Sequence, residues 1–106
     1  MKVYNRLVRD NIPNLILKDH GLPTTRILDD EEYISELNKK LSDEVKKYLE
    51  TNNDEEMVDI IEVIRAILEF NGSNFEELEE KRKKKAERRG TFKEKIYLEK
   101  VLENGD

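Results

Sequence analysis

The chain has 106 residues, no cysteine and one histidine, and 42% of its residues are charged, with a net charge of −5. This length fits one domain with a modest core, and the missing cysteines exclude disulfides and thiolate metal sites. The negative charge gives no attraction toward nucleic acid or anionic lipid. No apolar run approaches transmembrane length, and the start MKVYNRLVRD lacks a signal-peptide core. We therefore expect a cytoplasmic protein without nucleic acid or membrane partners.

The apolar spacing predicts an all-α, mainly helical fold in a single domain over residues 1–106. A short helix should begin near Pro13 and end before Gly21. Three longer helices should follow, the first over about 30–50, the second over about 54–71 and the third ending near Arg89.

Short sequence signals mark the ends of these helices and the segments between them. The run DDEEY supplies a cap and an acidic first turn for the first long helix. Asn53 with Glu56, and Ser73 with Glu76, fit the capping-box spacing. The segments at about 24–28 and 95–101 are β-prone, so we expect them to pair as a small two-stranded element packed on the helices.

Two of the long helices carry carboxylates on their apolar faces. At about 100° per residue, Glu44 falls inside the apolar arc of the first long helix, and Glu56 inside that of the second. Asp59 lies one turn after Glu56, at the edge of the same arc. The remaining acids on the second helix form an outer, solvated stripe: Glu55, Glu62 and Glu69.

Inward carboxylates have two explanations, and the periodicity does not choose between them. Each can pair with an inward lysine or arginine, which is the usual state of a buried charge. Alternatively, three carboxylates gathered on facing helices hold a divalent cation that neutralises their mutual repulsion. Mg²⁺ suits such oxygen ligands, with waters and substrate phosphates completing its octahedron. The i, i+3 spacing lets Glu56 and Asp59 reach one ion.

The third long helix supplies cations on its apolar face. Arg82, Lys85 and Arg89 share this face with Phe75 and other apolar residues. Internal ion pairs, including pairs with Glu44 or Glu56, are one explanation. A phosphate-binding surface beside a carboxylate-held metal is the other, since guanidinium groups match phosphate oxygens.

These residues resemble the all-α nucleoside triphosphate pyrophosphohydrolases of the MazG and phosphoribosyl-ATP pyrophosphohydrolase superfamily. Its signature is EExxE on one helix and ExxD on the next. Here DEVKK (Asp43–Lys47) stands at the first half, and EMVD (Glu56–Asp59) matches the second. The flanking blocks YNRLVRDNIP and RKKKAERRGTF extend the resemblance along nearly the whole chain.

The resemblance implies Mg²⁺-dependent hydrolysis of a nucleoside triphosphate to a monophosphate and pyrophosphate, with Mn²⁺ as an alternative ion. It implies a role in clearing non-standard nucleotides, and a homodimer or higher homo-oligomer. Carried over by position, the metal ligands and catalytic residues are Glu44, Glu56 and Asp59, and the phosphate-side candidates are Arg82, Lys85 and Arg89. Arg9 and Asp10 lie in the N-terminal block, where a structural ion pair is the favoured role and substrate contact the alternative.

The sequence departs from the signature at Lys47, which replaces the last acid of EExxE. An ammonium group cannot ligate Mg²⁺, and its positive charge weakens binding of the ion nearby. Lys47 can turn outward and leave three carboxylates around one ion. Otherwise it takes over part of the metal's charge by pairing with Asp59, and the protein is a non-catalytic nucleotide-binding or interaction module.

Overall fold

A computed structural model describes residues 1–103, and the regular structure within them is entirely helical. The four helices are α1 (Ile12–Lys18), α2 (Asp30–Thr51), α3 (Glu55–Phe70) and α4 (Phe75–Arg89). The mainly helical fold expected from the sequence is confirmed. The chain forms two compact units, of which the first spans Met1–Asn74 and the second begins at Phe75. None of the four helices has an apolar stretch long enough to span a lipid bilayer.

The first unit is built on the helix pair α2 and α3, which pack against each other. The short connection between them makes the two helices antiparallel. At the open end of the pair the rings of Tyr33 and Phe70 meet edge to face, with centroids 5.8 Å apart. Leu37 from α2 and Val63 from α3 are the buried apolar side chains in the described part of the chain. The core is therefore small and is centred on this pair.

The ends of α2 are fixed by its flanking residues. The Asp29 carboxylate accepts a hydrogen bond from the backbone N–H of Glu32 at 2.9 Å, which satisfies one of the free amides of the first turn. At the other end Asn52 adopts the left-handed conformation, with φ 52°, and its N–H donates to the carbonyl of Tyr48. These two residues set the length of α2 and reverse the chain toward α3.

The start of α3 differs from the predicted capping box. The Asn53 side chain accepts a hydrogen bond from the N–H of Glu55 at 3.0 Å, and the helix begins at Glu55. The Glu56 side chain does not return to Asn53. It points instead toward the carboxylates of α2 and α3, which is the position required of a site residue.

The predicted two-stranded element is wrong for the described residues. Residues 24–28 and 95–101 contain no strand, and most of their apolar side chains are open to solvent, among them Ile27 (96% exposed) and Tyr97 (89% exposed). A two-stranded ribbon is marginal unless one face is packed. Because these side chains bury almost nothing, alternation alone does not produce a strand.

The second unit contains α4 and the segment that follows it. The helix ends at Arg89, and the next residue, Gly90, has φ +83° and donates its N–H to the carbonyl of Ala86. Glycine adopts this backbone conformation without the strain that a side chain introduces. The predicted end near Arg89 is confirmed.

Candidate metal centre

Three carboxylates of the first unit converge between α2 and α3. Glu44, Glu56 and Asp59 each offer an oxygen, and these oxygens all lie within 4.8 Å of one another. Glu44 stands in the third turn from the C-terminal end of α2, and the other two occupy the first turns of α3. The antiparallel pairing brings these two helix ends together. The sequence pattern predicted that all three residues lie on the faces by which the two helices meet.

Glu44 is the most deeply buried member of the cluster. Only 4% of the residue is exposed, as predicted from its place inside the apolar arc of α2. Its Oε2 atom is buried and has no hydrogen-bond partner in the described part of the protein. An unpaired buried polar atom costs about 1–3 kcal/mol, and more when the group is charged. This oxygen therefore has an unmet requirement for a proton donor or a cation.

Lys47 partly neutralises Glu44 from the solvent side. Its Nζ atom lies 3.4 Å from Glu44 Oε1, one helical turn along α2, and its side chain is 53% exposed. The sequence left two positions open for Lys47, turned outward to solvent or paired with Asp59, and the structure differs from each in part. Lys47 does extend toward solvent, and the carboxylate it contacts is Glu44, where the second alternative expected Asp59.

Asp59 has a cationic partner from the N-terminal segment. Arg9 Nη2 lies 2.8 Å from Asp59 Oδ1, and both side chains are about half exposed. The expectation that Arg9 forms an ion pair is thus met by a residue 50 positions away in the chain. Glu56 is different, because no cation within residues 1–103 lies at ion-pair distance from its carboxylate.

The net charge of the cluster is negative, which favours binding of a divalent cation. Three carboxylates face one ammonium and one guanidinium, so one negative charge remains, shared by a group of oxygens that includes the orphaned Glu44 Oε2. The donor set is entirely carboxylate oxygen, which Mg²⁺ and Mn²⁺ accept. Ligand oxygens of an octahedral Mg²⁺ lie about 3–4 Å apart, so the three carboxylates need to close by roughly an ångström. The residues present fit the ion.

The cationic candidates of the third long helix lie in the second unit. Arg82, Lys85 and Arg89 are exposed on α4. Arg82 donates two hydrogen bonds to Glu79, one turn earlier, and this pairing lowers the pKa of the Glu79 carboxyl and raises the pKa of Arg82. Their role as phosphate ligands stays a prediction.

A group of polar residues missed by the sequence interpretation lies along α2. A groove of about 280 Å³ runs between this helix and the N-terminal segment, and Glu44 is one of its lining residues. Its cations are Arg6, Lys40, Lys46 and Lys47, and its acids are Glu36, Asp43, Glu44 and Glu50. The spacing of the α2 residues shows that they share a face, but nothing local to the sequence indicates that residues 6 and 7 cover it.

Comparison with known proteins returned no relative. No family model, no curated protein and no solved structure matches the chain. The similarity to pyrophosphohydrolases therefore rests on the acidic motifs at Asp43–Lys47 and Glu56–Asp59 and on their flanking blocks.

Proposed function

We propose that the protein is a divalent-cation-dependent nucleoside triphosphate pyrophosphohydrolase. The observation that carries this proposal is the buried, unpaired Oε2 of Glu44, within a cluster that also contains Glu56 and Asp59. Glu44, Glu56 and Asp59 would hold one Mg²⁺ or Mn²⁺. A divalent cation bound there would offset the charge of the substrate phosphates and would make the attacking water more acidic.

The three carboxylates differ in the roles their surroundings support. Glu44 is fixed by burial against α3, so it is suited to hold an ion in one position. Asp59 is paired with Arg9 through one oxygen, so a bound ion would compete with that guanidinium for its carboxylate. Glu56 is half-buried and has no cationic partner in the described residues, so one of its oxygens would hold the ion and the other would accept a proton from water.

The proposed reaction is the one that the resemblance to pyrophosphohydrolases implies, with these residues in the roles just given. Water loses a proton to Glu56 and its oxygen attacks the α-phosphorus of the nucleotide. The bond between the α-phosphorus and the bridging oxygen to the β-phosphorus breaks, and that oxygen leaves with pyrophosphate. The products are a nucleoside monophosphate and pyrophosphate. Clearance of non-standard nucleotides is the physiological role that this reaction best fits.

A homodimer is part of the proposal. Apolar side chains on the outer surfaces of α2 and α3 remain exposed in the single chain: Val45, Leu49, Met57, Val58 and Ile61. The buried apolar core of the described residues is small, and association of two such helix pairs would extend it. Sedimentation equilibrium should give twice the chain mass, and a monomer at micromolar concentration would contradict this part of the proposal.

One observation favours a second candidate, a non-catalytic nucleotide-binding or interaction module. Two of the three carboxylates already have a cationic partner, Lys47 on Glu44 and Arg9 on Asp59. If these ion pairs are permanent, they occupy the positions of a metal and the cluster serves only to hold the N-terminal segment on α3.

The test is a nucleotide panel with product identification. Purified protein is incubated with standard and non-standard nucleoside triphosphates in millimolar Mg²⁺ or Mn²⁺, and ion-exchange chromatography resolves the products. The proposal expects monophosphate and pyrophosphate in equal amounts from at least one nucleotide. Glu56→Gln should abolish the reaction, and the matched variant Glu62→Gln, on the solvent face of the same helix, should retain it.

Other outcomes decide against the proposal. Release of orthophosphate and a diphosphate would exclude cleavage at the α-phosphorus. An absence of turnover across the panel, together with an unchanged Tm in Mg²⁺ and Mn²⁺, would favour the non-catalytic module. Circular dichroism of Glu56→Gln separates a lost site from a lost fold.

A further inference from the structure

We propose that the groove between α2 and the N-terminal segment is the binding site for the triphosphate chain of a metal-complexed nucleotide, with Arg6, Lys40, Lys46 and Lys47 as its phosphate ligands. This inference rests on the proposed function and adds to it the location of the substrate phosphates. It differs from the expectation that cations of α4 take this role.

The groove adjoins the carboxylate cluster through one shared residue. Glu44 lines the groove and also contributes an oxygen to the group that includes Glu56 and Asp59. A phosphate chain lying in the groove would therefore reach the cation held by the cluster. No other residue of the first unit belongs to both the groove and the cluster.

Most cations of the groove are unpaired. Within residues 1–103, Arg6, Lys40 and Lys46 form no ion pair, although four acids line the same groove. The Arg6 guanidinium lies over the ring of Tyr4, 5.1 Å from its centroid, a contact that positions the group and leaves its charge unneutralised. Arg6 and Lys46 are exposed and Lys40 is half-buried, and three cations without acidic partners along one groove are suited to an anionic ligand.

The balance of charges specifies the form of that ligand. Four cations and four acids line the groove, so by itself it has no net attraction for a polyanion. A divalent cation on Glu44 and its neighbours shifts this balance by two positive charges. The groove should therefore bind a triphosphate together with its metal ion, and bind a metal-free polyphosphate weakly.

The size of the groove limits what it holds. At about 280 Å³ it is smaller than the pockets of 300–1,000 Å³ that enclose most small-molecule ligands. It accommodates the phosphate chain, and the base and sugar must contact another surface. Inorganic tripolyphosphate is consequently a sufficient probe of the groove.

The experiment is calorimetric titration of the full chain with the preformed magnesium complex of tripolyphosphate, compared among variants of equal charge. The double variant Lys40→Ala/Lys46→Ala should weaken binding by about tenfold or more, because it removes two phosphate contacts. The control Lys18→Ala/Lys93→Ala removes the same charge from exposed positions outside the groove and should change affinity less than twofold. Tripolyphosphate with a chelator should bind much more weakly than its magnesium complex.

A separate Mn²⁺ titration, followed by electron paramagnetic resonance, distinguishes failure of the groove from failure of the proposed function. If Mn²⁺ binds and Lys85→Ala/Arg89→Ala weakens tripolyphosphate binding in place of the groove variant, the groove assignment is overturned and the metal centre stands. Equal weakening by both charge-matched variants also overturns it, since that result reflects net charge. If Mn²⁺ does not bind, the groove assignment falls with the proposed function.

Discussion

Replacing Lys47 by methionine should tighten Mg²⁺ binding by about five- to fifteenfold. The Lys47 ammonium lies 3.4 Å from Glu44 Oε1, which places it roughly 5 Å from a cation bound to that carboxylate. Repulsion between one and two positive charges at this distance is about 1.7 kcal/mol in bulk water. Because the Lys47 side chain is 53% exposed, the high-dielectric value applies, and salt lowers it to about 1 kcal/mol.

The same substitution should destabilise the metal-free protein. Glu44 is 4% exposed and loses its one cationic partner among the described residues, at a cost of about 1–3 kcal/mol. Lys47→Met should therefore have a lower Tm than the wild type in chelator and a larger rise in Tm when Mg²⁺ is added. An ion pair that is only structural would produce the first change without the second.

Calorimetric Mg²⁺ titration and thermal unfolding with and without chelator measure both effects. Lys39→Met is the matched control, because Lys39 forms an i, i+3 ion pair with Glu36 on the same helix at 3.2 Å. It should leave Mg²⁺ affinity unchanged. A Lys47→Met protein that binds Mg²⁺ no more tightly than the wild type would refute the electrostatic argument.

Two further predictions concern the N-terminal segment and the N-terminal cap of α2. Arg9→Gln should strengthen Mg²⁺ binding severalfold in the same titration, because the Arg9 guanidinium competes with the ion for Asp59. Arg26→Gln removes a comparable exposed ion pair that lies outside the cluster and should have no effect; weaker Mg²⁺ binding by the Arg9 variant would contradict the competition. Asp29→Ala should lower the free energy of unfolding in urea by about 1 kcal/mol through loss of the cap on α2. Asp54→Ala is the control, since the Asp54 side chain makes no cap hydrogen bond, and equal losses in the two variants would argue against a specific capping effect.

The sequence predicted the features that depend on local periodicity. The helices end within a residue or two of their expected positions, since Asp29, Asn71-Gly72 and Gly90 mark boundaries that short-range backbone geometry enforces. The inward position of Glu44 followed from the same periodicity. The apolar face of a helix packs against its neighbour, so a side chain in the middle of that face lies in the helix interface.

Contacts between segments that are far apart in the chain could not be predicted from the sequence. The ion pair between Arg9 and Asp59 and the cover of α2 by Arg6 depend on how an irregular segment docks, which no repeat or spacing encodes. The predicted β element failed for a related reason: a strand requires a partner and a packed face, and alternation within residues 95–101 reports neither.

The most direct test of the central claim is the stoichiometry of Mn²⁺ binding to the wild-type chain and to Glu56→Gln. Three converging carboxylates with an orphaned oxygen should bind one ion per chain, and at a hundredfold excess over Kd the ion should stabilise the fold by about 2.7 kcal/mol. Glu56→Gln should lose this binding and keep its helical circular dichroism, whereas Glu62→Gln should bind as the wild type does. Mn²⁺ binding that is absent, or equal in all three proteins, would contradict the assignment of Glu44, Glu56 and Asp59 as a metal centre.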